Sequence, residues 1–253
     1  MNSPSGNYQA AAGRLQPTLR ERTLLRRFYV LRKIAALLLP EYRFKWPQMA
    51  WWKDDAFNEY LRRFNELEGN NADRRYAVQQ LLRLCSGVPG DTAEIGAFAG
   101  AMSWLILQSN SGKRMHHIFD SFAGLSQPMT QDGAHWKAGA LACDEEVVHR
   151  NLASFKGSFT SYKGWVPDRF AEVAAKQFSF VHIDVDLYEP TRASIDFFYP
   201  RMAPGGVVVC DDYNFTSCPG ATQAINDALA RYPEKMIGLS GGGGFFIKGT
   251  ATA

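Results

Sequence analysis

Residues 92–100, Thr92-Ala93-Glu94-Ile95-Gly96-Ala97-Phe98-Ala99-Gly100, decide the fold of this chain. A short β-rich run leads straight into a glycine turn, and a helical pattern begins near residue 100. Glycine at position 96 allows a sharp turn and lets a ligand approach the backbone closely. The turn lacks the second glycine of the dinucleotide fingerprint G-x-G-x-x-G. The segment therefore predicts a strand, a turn and a helix, with the turn either tightly packed or holding a ligand that is not a dinucleotide.

Strand-like and helical segments alternate from this turn to the end of the chain. Strands are predicted at Thr92–Ile95, Met115–Phe119, Phe159–Tyr162, Phe178–Asp184 and Val207–Cys210. Helices are predicted near 100–108, 144–154, 167–175, 189–202 and 219–231. The last two runs, Lys235–Leu239 and Phe245–Lys248, are joined by glycines and predict a closing hairpin with one antiparallel strand. This alternation predicts an α/β fold, in which a mostly parallel sheet carries helices on both faces.

The region before residue 87 has a different pattern. Residues 1–16 predict a disordered tail, and residues 17–86 predict a helical extension with helices near 18–39, 54–67 and 72–85. Residues 1–45 carry nine Lys/Arg and two acids, although the whole chain carries only +3. The basic first helix has three interpretations: a contact with another subunit, a peripheral contact with an anionic membrane, or a cap on an acceptor pocket. The domain that carries the chemistry is predicted to span residues 87–253.

Composition limits the function classes. A net charge of +3 is too small to indicate a nucleic-acid partner, and none is expected. The four cysteines form no C-x-x-C pair, so we expect free thiols in a reducing compartment. No signal peptide opens the chain, and the longest early apolar run, Ile34 to Leu39, is too short to cross a bilayer. These features predict a cytoplasmic enzyme, which we expect to form a homo-oligomer.

Two acids stand at the ends of the first two predicted strands. The carboxylate of Glu94, two residues before Gly96, would repel a pyrophosphate but suits a ligand with an ammonium group. Asp120 follows the second strand, where a carboxylate can accept both hydroxyls of a ribose. The alternative for Asp120 is a cap on the following turn. Taken together, Glu94, Gly96 and Asp120 predict a ligand with adenosyl and amino-acid parts lying across the carboxyl edge of the sheet.

A second acidic group follows the fourth and fifth core strands. Asp184 and Asp186 follow one strand, and Asp211 and Asp212 follow the other. If these strands are neighbours, Asp184, Asp211 and Asp212 come close together and repel one another unless a cation bridges them. Oxygen ligands at an open site favour Mg²⁺ or another divalent cation. The alternative is that Asp186 and Asp212 only cap the helices that follow. His182 is interpreted as a support for the acids rather than a ligand.

Several of these segments resemble the macrocin O-methyltransferase family. The resemblance covers residues 75–230, and the segments that carry it are Gly87–Asp91, Glu94–Gly96 with Gly100, Asp120–Leu125, His182–Thr191, Tyr199–Gly206 and Asp211–Gln223. It implies a Rossmann-like class I methyltransferase fold with a seven-stranded sheet that binds S-adenosylmethionine. It also implies a sugar or glycosylated small molecule as the methyl acceptor.

The resemblance also implies roles for individual residues. Glu94, Ile95, Gly96 and Gly100 would form the turn at the methionine end of the cofactor, Asp120 would contact the ribose, and Ser121 and Phe122 would lie beside the adenosine. Asp184, Asp211 and Asp212 would bind the metal, and Asp184 or Asp186 would accept the proton of the hydroxyl group. Related catechol-type enzymes carry a lysine where this chain has Leu187. That departure favours an aliphatic hydroxyl as the acceptor.

Three other functions compete with methyl transfer. Asp184-Val185-Asp186 is similar to the motif of aspartate-nucleophile phosphatases, but those enzymes need a threonine where this chain has Tyr188. A metal-dependent nucleotide-sugar glycosyltransferase could use the same acids, but it would leave Glu94 and Asp120 unexplained. A cofactor-binding scaffold without catalysis would not need all three metal ligands. The long segment 121–143 is predicted to be a mobile lid over the site.

Overall fold

The computed structural model describes residues 19–38, 51, 54–66 and 71–249. The chain forms two compact units, residues 1–50 and 51–253. Helix α1 (Leu19–Leu38) is the described part of the first unit, and it agrees with the helix predicted near 18–39. The tail predicted at 1–16 lies outside the described residues. Within the described part of the chain, no helix is both long enough and apolar enough to span a membrane.

The second unit is built on a seven-stranded sheet, as predicted. Its strands are β1 (Asp91–Ile95), β2 (His116–Asp120), β3 (Phe159–Lys163), β4 (Phe178–Ile183), β5 (Met202–Cys210), β6 (Ile237–Gly238) and β7 (Gly244–Ile247). Their order across the sheet is β3-β2-β1-β4-β5-β7-β6. Strand β7 runs antiparallel to both of its neighbours, β5 and β6, so the predicted closing hairpin is confirmed.

The described residues of this second unit form the helices α2 (Asp55–Arg63), α3 (Ala72–Leu84), α4 (Ala101–Asn110), α5 (Glu145–Asn151), α6 (Tyr188–Phe198) and α7 (Pro219–Leu229). Side chains of α6 and α7, such as Phe198 and Ile225, pack on one face of the sheet. Side chains of α2, α3 and α4 pack on the other face, including Phe57 and Val78. Helices α2 and α3, which the sequence analysis placed in the extension, therefore share the compact unit of the sheet.

Strand β4 lies at the centre of the sheet and is buried at all six positions. Parallel strands that are covered on both faces have such continuous burial. Its register pairs Ile183 with Ile95 of β1 and with Cys210 of β5. Three neighbouring strands therefore end at the same level, and the residues that follow them meet at one edge of the sheet.

Two predicted elements differ from the structure. The helix predicted at 167–175 is only a short 3₁₀ turn, Phe170–Val173. Strand β5 begins at Met202 rather than Val207, although Ala-Pro-Gly-Gly in between has the composition of a turn. The early start follows from tertiary pairing, because Met202 pairs with Phe178 and the Gly205 amide donates to the Lys248 carbonyl at 2.8 Å.

Candidate active site

A cavity of about 460 Å³ opens at the carboxyl ends of β1, β2 and β4. Gly96, Asp120, Asp184 and Asp186 line it, with Ser121 and Trp165 nearby. It lies at β1, where the chain runs outwards to β2 and β3 on one side and then crosses from β3 to β4 on the other side. Open α/β sheets bind their ligands at such a switch point.

Gly96 brings the tip of β1 against the tip of β4. Its φ angle is +86°, and a Cβ atom at this position would lie 1.8 Å from the carbonyl oxygen of Asp184. The Asp184 amide in turn donates to the Ile95 carbonyl at 2.9 Å. The turn is thus tightly packed and also lines the cavity, so the two interpretations of the glycine are compatible.

Glu94 points away from water, to the side of the sheet that α4 covers. Its carboxylate is 1% exposed and accepts a hydrogen bond from the Ser103 hydroxyl. His182 Nδ1 lies 3.6 Å from its second oxygen. Burial alone would raise the pKa of Glu94, but the close approach of the His116 and His182 rings outweighs burial and lowers the pKa to about 2. Glu94 is therefore an anion on the wall of the cavity.

Asp120 connects the two turns of the predicted cofactor site. Its Oδ2 accepts hydrogen bonds from the amides of Ala97 at 2.7 Å and Phe98 at 3.0 Å, and its Oδ1 accepts one from Phe122 at 2.7 Å. The contact with Phe122 agrees with the capping interpretation. Because a carboxylate offers about four lone-pair directions, Oδ1 retains the capacity to accept a hydroxyl from a ligand.

The acids predicted to bind metal come together in two adjoining groups. Ligand atoms of His182, Asp184 and Asp211 lie within 4.8 Å of one another, and those of Asp186, Asp212 and Cys218 do the same. The Asp186 amide donates to Asp212 Oδ2 at 2.8 Å, which connects the groups.

His182 lies fully buried between two carboxylates. Its Nε2 is 3.4 Å from Asp211, on the side opposite Glu94. Burial would lower the pKa of His182, but the nearby carboxylates of Asp211 and Glu94 raise it to about 10. The support role predicted for His182 is consistent with this position.

The acids differ in how well their charge is balanced. Burial, Asp211 and Asp212 raise the pKa of Asp184, and burial and Asp186 are the leading causes that raise the pKa of Asp212. Burial and Asp184 raise the pKa of Asp186 to about 7. For Asp211, burial is opposed by the charge of Arg75, and the pKa falls below its usual range. Burial and mutual repulsion therefore favour the protonated forms of Asp184 and Asp212, and a hard divalent cation that displaced these protons would fit the oxygen donor set.

Sequence reasoning missed two arginines that line the cavity. Arg74 Nη1 lies 2.9 Å from Asp211 Oδ2, and Arg75 Nη1 lies 3.3 Å from the same oxygen. Arg75 also contacts Glu66 at 3.2 Å. No local motif indicates these contacts, because Arg75 precedes Asp211 by 136 residues and tertiary packing brings the two side chains together.

Three residues predicted to bind the cofactor do not line the cavity in the described part of the chain. Ile95 is buried in the main core, and Phe122 packs with Ala97 and Val148. Gly100 has a φ of +81° at the start of α4, where an added Cβ would meet Val148 at 3.2 Å. These positions shape the turns behind the cavity, and their direct contact with a cofactor stays a prediction.

Segment 121–143 is anchored at its base and at its centre. The amides of Leu125 and Gly139 pair with the carbonyls of Ala140 and Leu125 at 2.8 and 2.9 Å, which closes the base. In the centre, the buried Asp132 accepts a hydrogen bond from the Tyr188 amide at 2.7 Å, and Trp136 Nε1 donates to Cys218 Sγ at 3.3 Å. The mobile lid stays a prediction, and these anchors confine it to the parts on either side of Asp132.

The sequence matches the macrocin O-methyltransferase (TylF) family over residues 73–238, which is more than half of the chain. The chain belongs to this family. The matched range contains the glycine turn, Asp120, both acidic groups and nearly all of α3. Its members are methyltransferases, so the phosphatase and glycosyltransferase alternatives are set aside.

Relatives within the family support the assignment. The chain is 28% identical over 194 residues to 8-demethyl-8-(2,3-dimethoxy-alpha-L-rhamnosyl)-tetracenomycin-C 4′-O-methyltransferase of Streptomyces olivaceus, covering 71% of this chain and 72% of that protein. It is 27% identical over 203 residues to demethyldecarbamoylnovobiocin O-methyltransferase of Streptomyces niveus, covering 71% and 76%. The solved structure of the O-methyltransferase NovP superposes with a TM-score of 0.59 at 25% identity, covering 70% of this chain and 80% of that one.

These relatives confirm the class I fold and the enzyme class expected from the sequence, an S-adenosylmethionine-dependent O-methyltransferase. They leave the metal, the acceptor and the assembly of this chain open.

Proposed function

We propose that this chain transfers a methyl group from S-adenosylmethionine to a hydroxyl of a sugar or glycosylated small molecule, assisted by Mg²⁺ or a similar divalent cation. The observation that carries the proposal is the crowding of Asp184, Asp211 and Asp212 in two adjoining groups of acids beside the cavity that Glu94 and Asp120 line. The names of the two curated relatives, a rhamnosyl-tetracenomycin and a novobiocin methyltransferase, suggest the acceptor class.

Different residues of the donor site bind different parts of S-adenosylmethionine. Glu94 is an anion at the methionine end, where it attracts the ammonium group of the amino acid. Asp120, fixed by three backbone amides, presents Oδ1 to the ribose. S-adenosylmethionine supplies the methyl group on a sulfonium, which is a good leaving group. The protein therefore has to orient the donor rather than activate it.

The acceptor side needs a group that removes a proton from a weakly acidic hydroxyl. Asp186 lines the cavity, and burial beside Asp184 brings its pKa to about 7, which suits a general base at neutral pH. Asp184, Asp211 and Asp212 would hold the cation, which lowers the pKa of a hydroxyl bound to it. Asp184 remains the second candidate base. A positioned base typically contributes about 10²–10⁴-fold to the rate.

The proposal is tested by incubating the purified protein with S-adenosylmethionine and a panel of rhamnosides, with Mg²⁺ or with EDTA, and measuring methylation by mass spectrometry. We expect methylated glycoside with Mg²⁺ and none with EDTA. Methylation of a catechol but of no glycoside would overturn the acceptor class, and full turnover in EDTA would overturn the metal. Calorimetry with S-adenosylhomocysteine on the parent and on Asp120→Ala tests the donor site independently, and only the parent should bind tightly.

Two partner assignments also remain proposals. A homo-oligomer is expected, and light scattering of the full chain measures it directly. A membrane contact through α1 would show in liposome flotation with and without residues 1–45.

A further inference from the structure

A line of buried polar side chains connects Glu94 with a second cavity beside the amino end of β1. This cavity has a volume of about 620 Å³ and is lined by Thr92 and Asn110, among others. Asn110 Nδ2 contacts Thr92 Oγ1 at 2.8 Å, and Thr92 Oγ1 contacts His116 Nδ1 at 3.0 Å. His116 Nε2 contacts Ser103 Oγ at 3.2 Å, and the Ser103 hydroxyl donates to Glu94.

Counting donors and acceptors gives this line a direction. The Asn110 amide nitrogen has only protons to give, so it occupies an acceptor position of the Thr92 hydroxyl. At the other end, the Glu94 carboxylate takes the single proton of Ser103, so Ser103 accepts from His116 Nε2. A ring whose one proton is on Nε2 has Nδ1 free to accept, and Nδ1 then takes the proton of Thr92. Every donor in the line therefore points towards the carboxylate, and hydrogen bonds in such a series strengthen one another.

Burial makes each hydrogen bond of the line difficult to replace. Ser103 and His116 are 0% exposed, Thr92 and Glu94 are 1% exposed, and Asn110 is 8% exposed. Water has little access to replace a missing link, and a buried donor or acceptor left without a partner is costly. The other neighbour of Glu94, His182, approaches at 3.6 Å without hydrogen-bond geometry. The Ser103 hydroxyl is thus the contact that fixes the orientation of the Glu94 carboxylate.

We propose that Ser103 and His116, ordered by Thr92 and Asn110, are positioning residues that hold Glu94 for the amino group of the methyl donor. They do not touch the donor. They set the angle and the acceptor state of the carboxylate that does. This inference rests on the proposed donor site, specifically on Glu94 at the methionine end.

Two ligands separate this role from a structural one. S-adenosylhomocysteine carries the amino acid, whereas 5′-methylthioadenosine keeps the adenosine and the sulfur but has no amino acid. The variants are Ser103→Ala, which removes the last donor, and Ser103→Thr, which retains a hydroxyl. Asn110→Asp is nearly isosteric but replaces the first donor with an acceptor, which reverses the direction of the line. Glu94→Gln reports on the carboxylate itself.

Calorimetry at pH 7.5 should show S-adenosylhomocysteine binding weakened by about 10- to 100-fold in Ser103→Ala and Asn110→Asp, with methylthioadenosine binding changed by less than about twofold. Ser103→Thr should restore most of the affinity. In turnover, the donor KM should rise while kcat at saturating donor changes little. Equal loss of both ligands in Ser103→Ala and Asn110→Asp, without rescue by threonine, would overturn the positioning role.

Glu94→Gln distinguishes a failure of the positioning inference from a failure of the donor site on which it rests. If Glu94→Gln loses the preference for S-adenosylhomocysteine but the Ser103 and Asn110 variants keep it, the positioning inference is wrong and the donor site stands. If Glu94→Gln itself keeps the preference, Glu94 does not bind the amino group, and both the inference and that part of the proposed donor site are wrong.

Discussion

Replacing Gly96 with alanine should separate the tips of β1 and β4. The new Cβ would lie 1.8 Å from the Asp184 carbonyl oxygen, whereas such atoms essentially never approach within 3.0 Å, so the backbone has to move by more than 1 Å. The φ angle of +86° adds about 1–2 kcal/mol for a residue with a side chain. Overpacking typically adds about 1–3 kcal/mol. Gly96→Ala should therefore lower the free energy of unfolding by about 2–5 kcal/mol.

Gly112 provides the matched control, because its φ is +72° and an added Cβ meets nothing within 4 Å. Gly112→Ala should show only the backbone cost, about 1–2 kcal/mol. Urea unfolding measures the stability of both variants, and calorimetry with S-adenosylhomocysteine measures the site. Gly96→Ala should also lose donor affinity, since the shift displaces both the turn and Asp184. If the two variants lost equal stability and bound the ligand as the parent does, the argument from the Gly96–Asp184 contact would be refuted.

Three further predictions follow from other contacts. Folding lowers the pKa of Glu94 from 4.5 to about 2, so the stability that the Glu94 carboxylate contributes is present above pH 4.5 and is lost as the pH falls through about 2. This contribution amounts to about 3 kcal/mol. Urea unfolding at pH 5 and pH 2 should therefore show a smaller loss of stability for Glu94→Gln than for the parent. Asp132→Ala should lower the free energy of unfolding by about 1–2 kcal/mol in the same assay, because Asp132 accepts the first amide of α6. Asp144→Ala should lower it little, since the Asp144 side chain makes no capping hydrogen bond to α5. Equal losses in the two variants would contradict the capping role of Asp132. Asp184→Asn should abolish Mn²⁺ binding measured by electron paramagnetic resonance while calorimetry still detects S-adenosylhomocysteine, and undiminished Mn²⁺ binding would remove Asp184 from the cation site.

The strands were predictable because each carries a signal in its own residues. The β-branched and aromatic residues of β4 and the glycines before β7 identify their elements without tertiary information. The start of β5 was not predictable, because Pro204 and Gly205 have the composition of a turn and only pairing with neighbouring strands extends them.

The candidate site was predictable where a residue lies at or just after the carboxyl end of a strand. Glu94, Asp120 and Asp184 fit that rule, since parallel strands bring their carboxyl ends together. Arg75 and Ser103 reach Asp211 and Glu94 from helix surfaces instead. A helical residue gains such a partner through the packing of its helix, and periodicity identifies a buried face without naming what lies opposite.

The anchoring of segment 121–143 at Asp132 has a consequence for engineering. Asp132, Trp136 and the base of the segment hold the stretches before and after Asp132 in place. Each stretch can therefore be varied separately while these contacts are kept. Libraries confined to residues 126–128, between the base and Asp132, should change which acceptors are methylated without the loss of folding that random insertion causes. The anchored segment would then serve as an exchangeable cassette for making methylated glycosides.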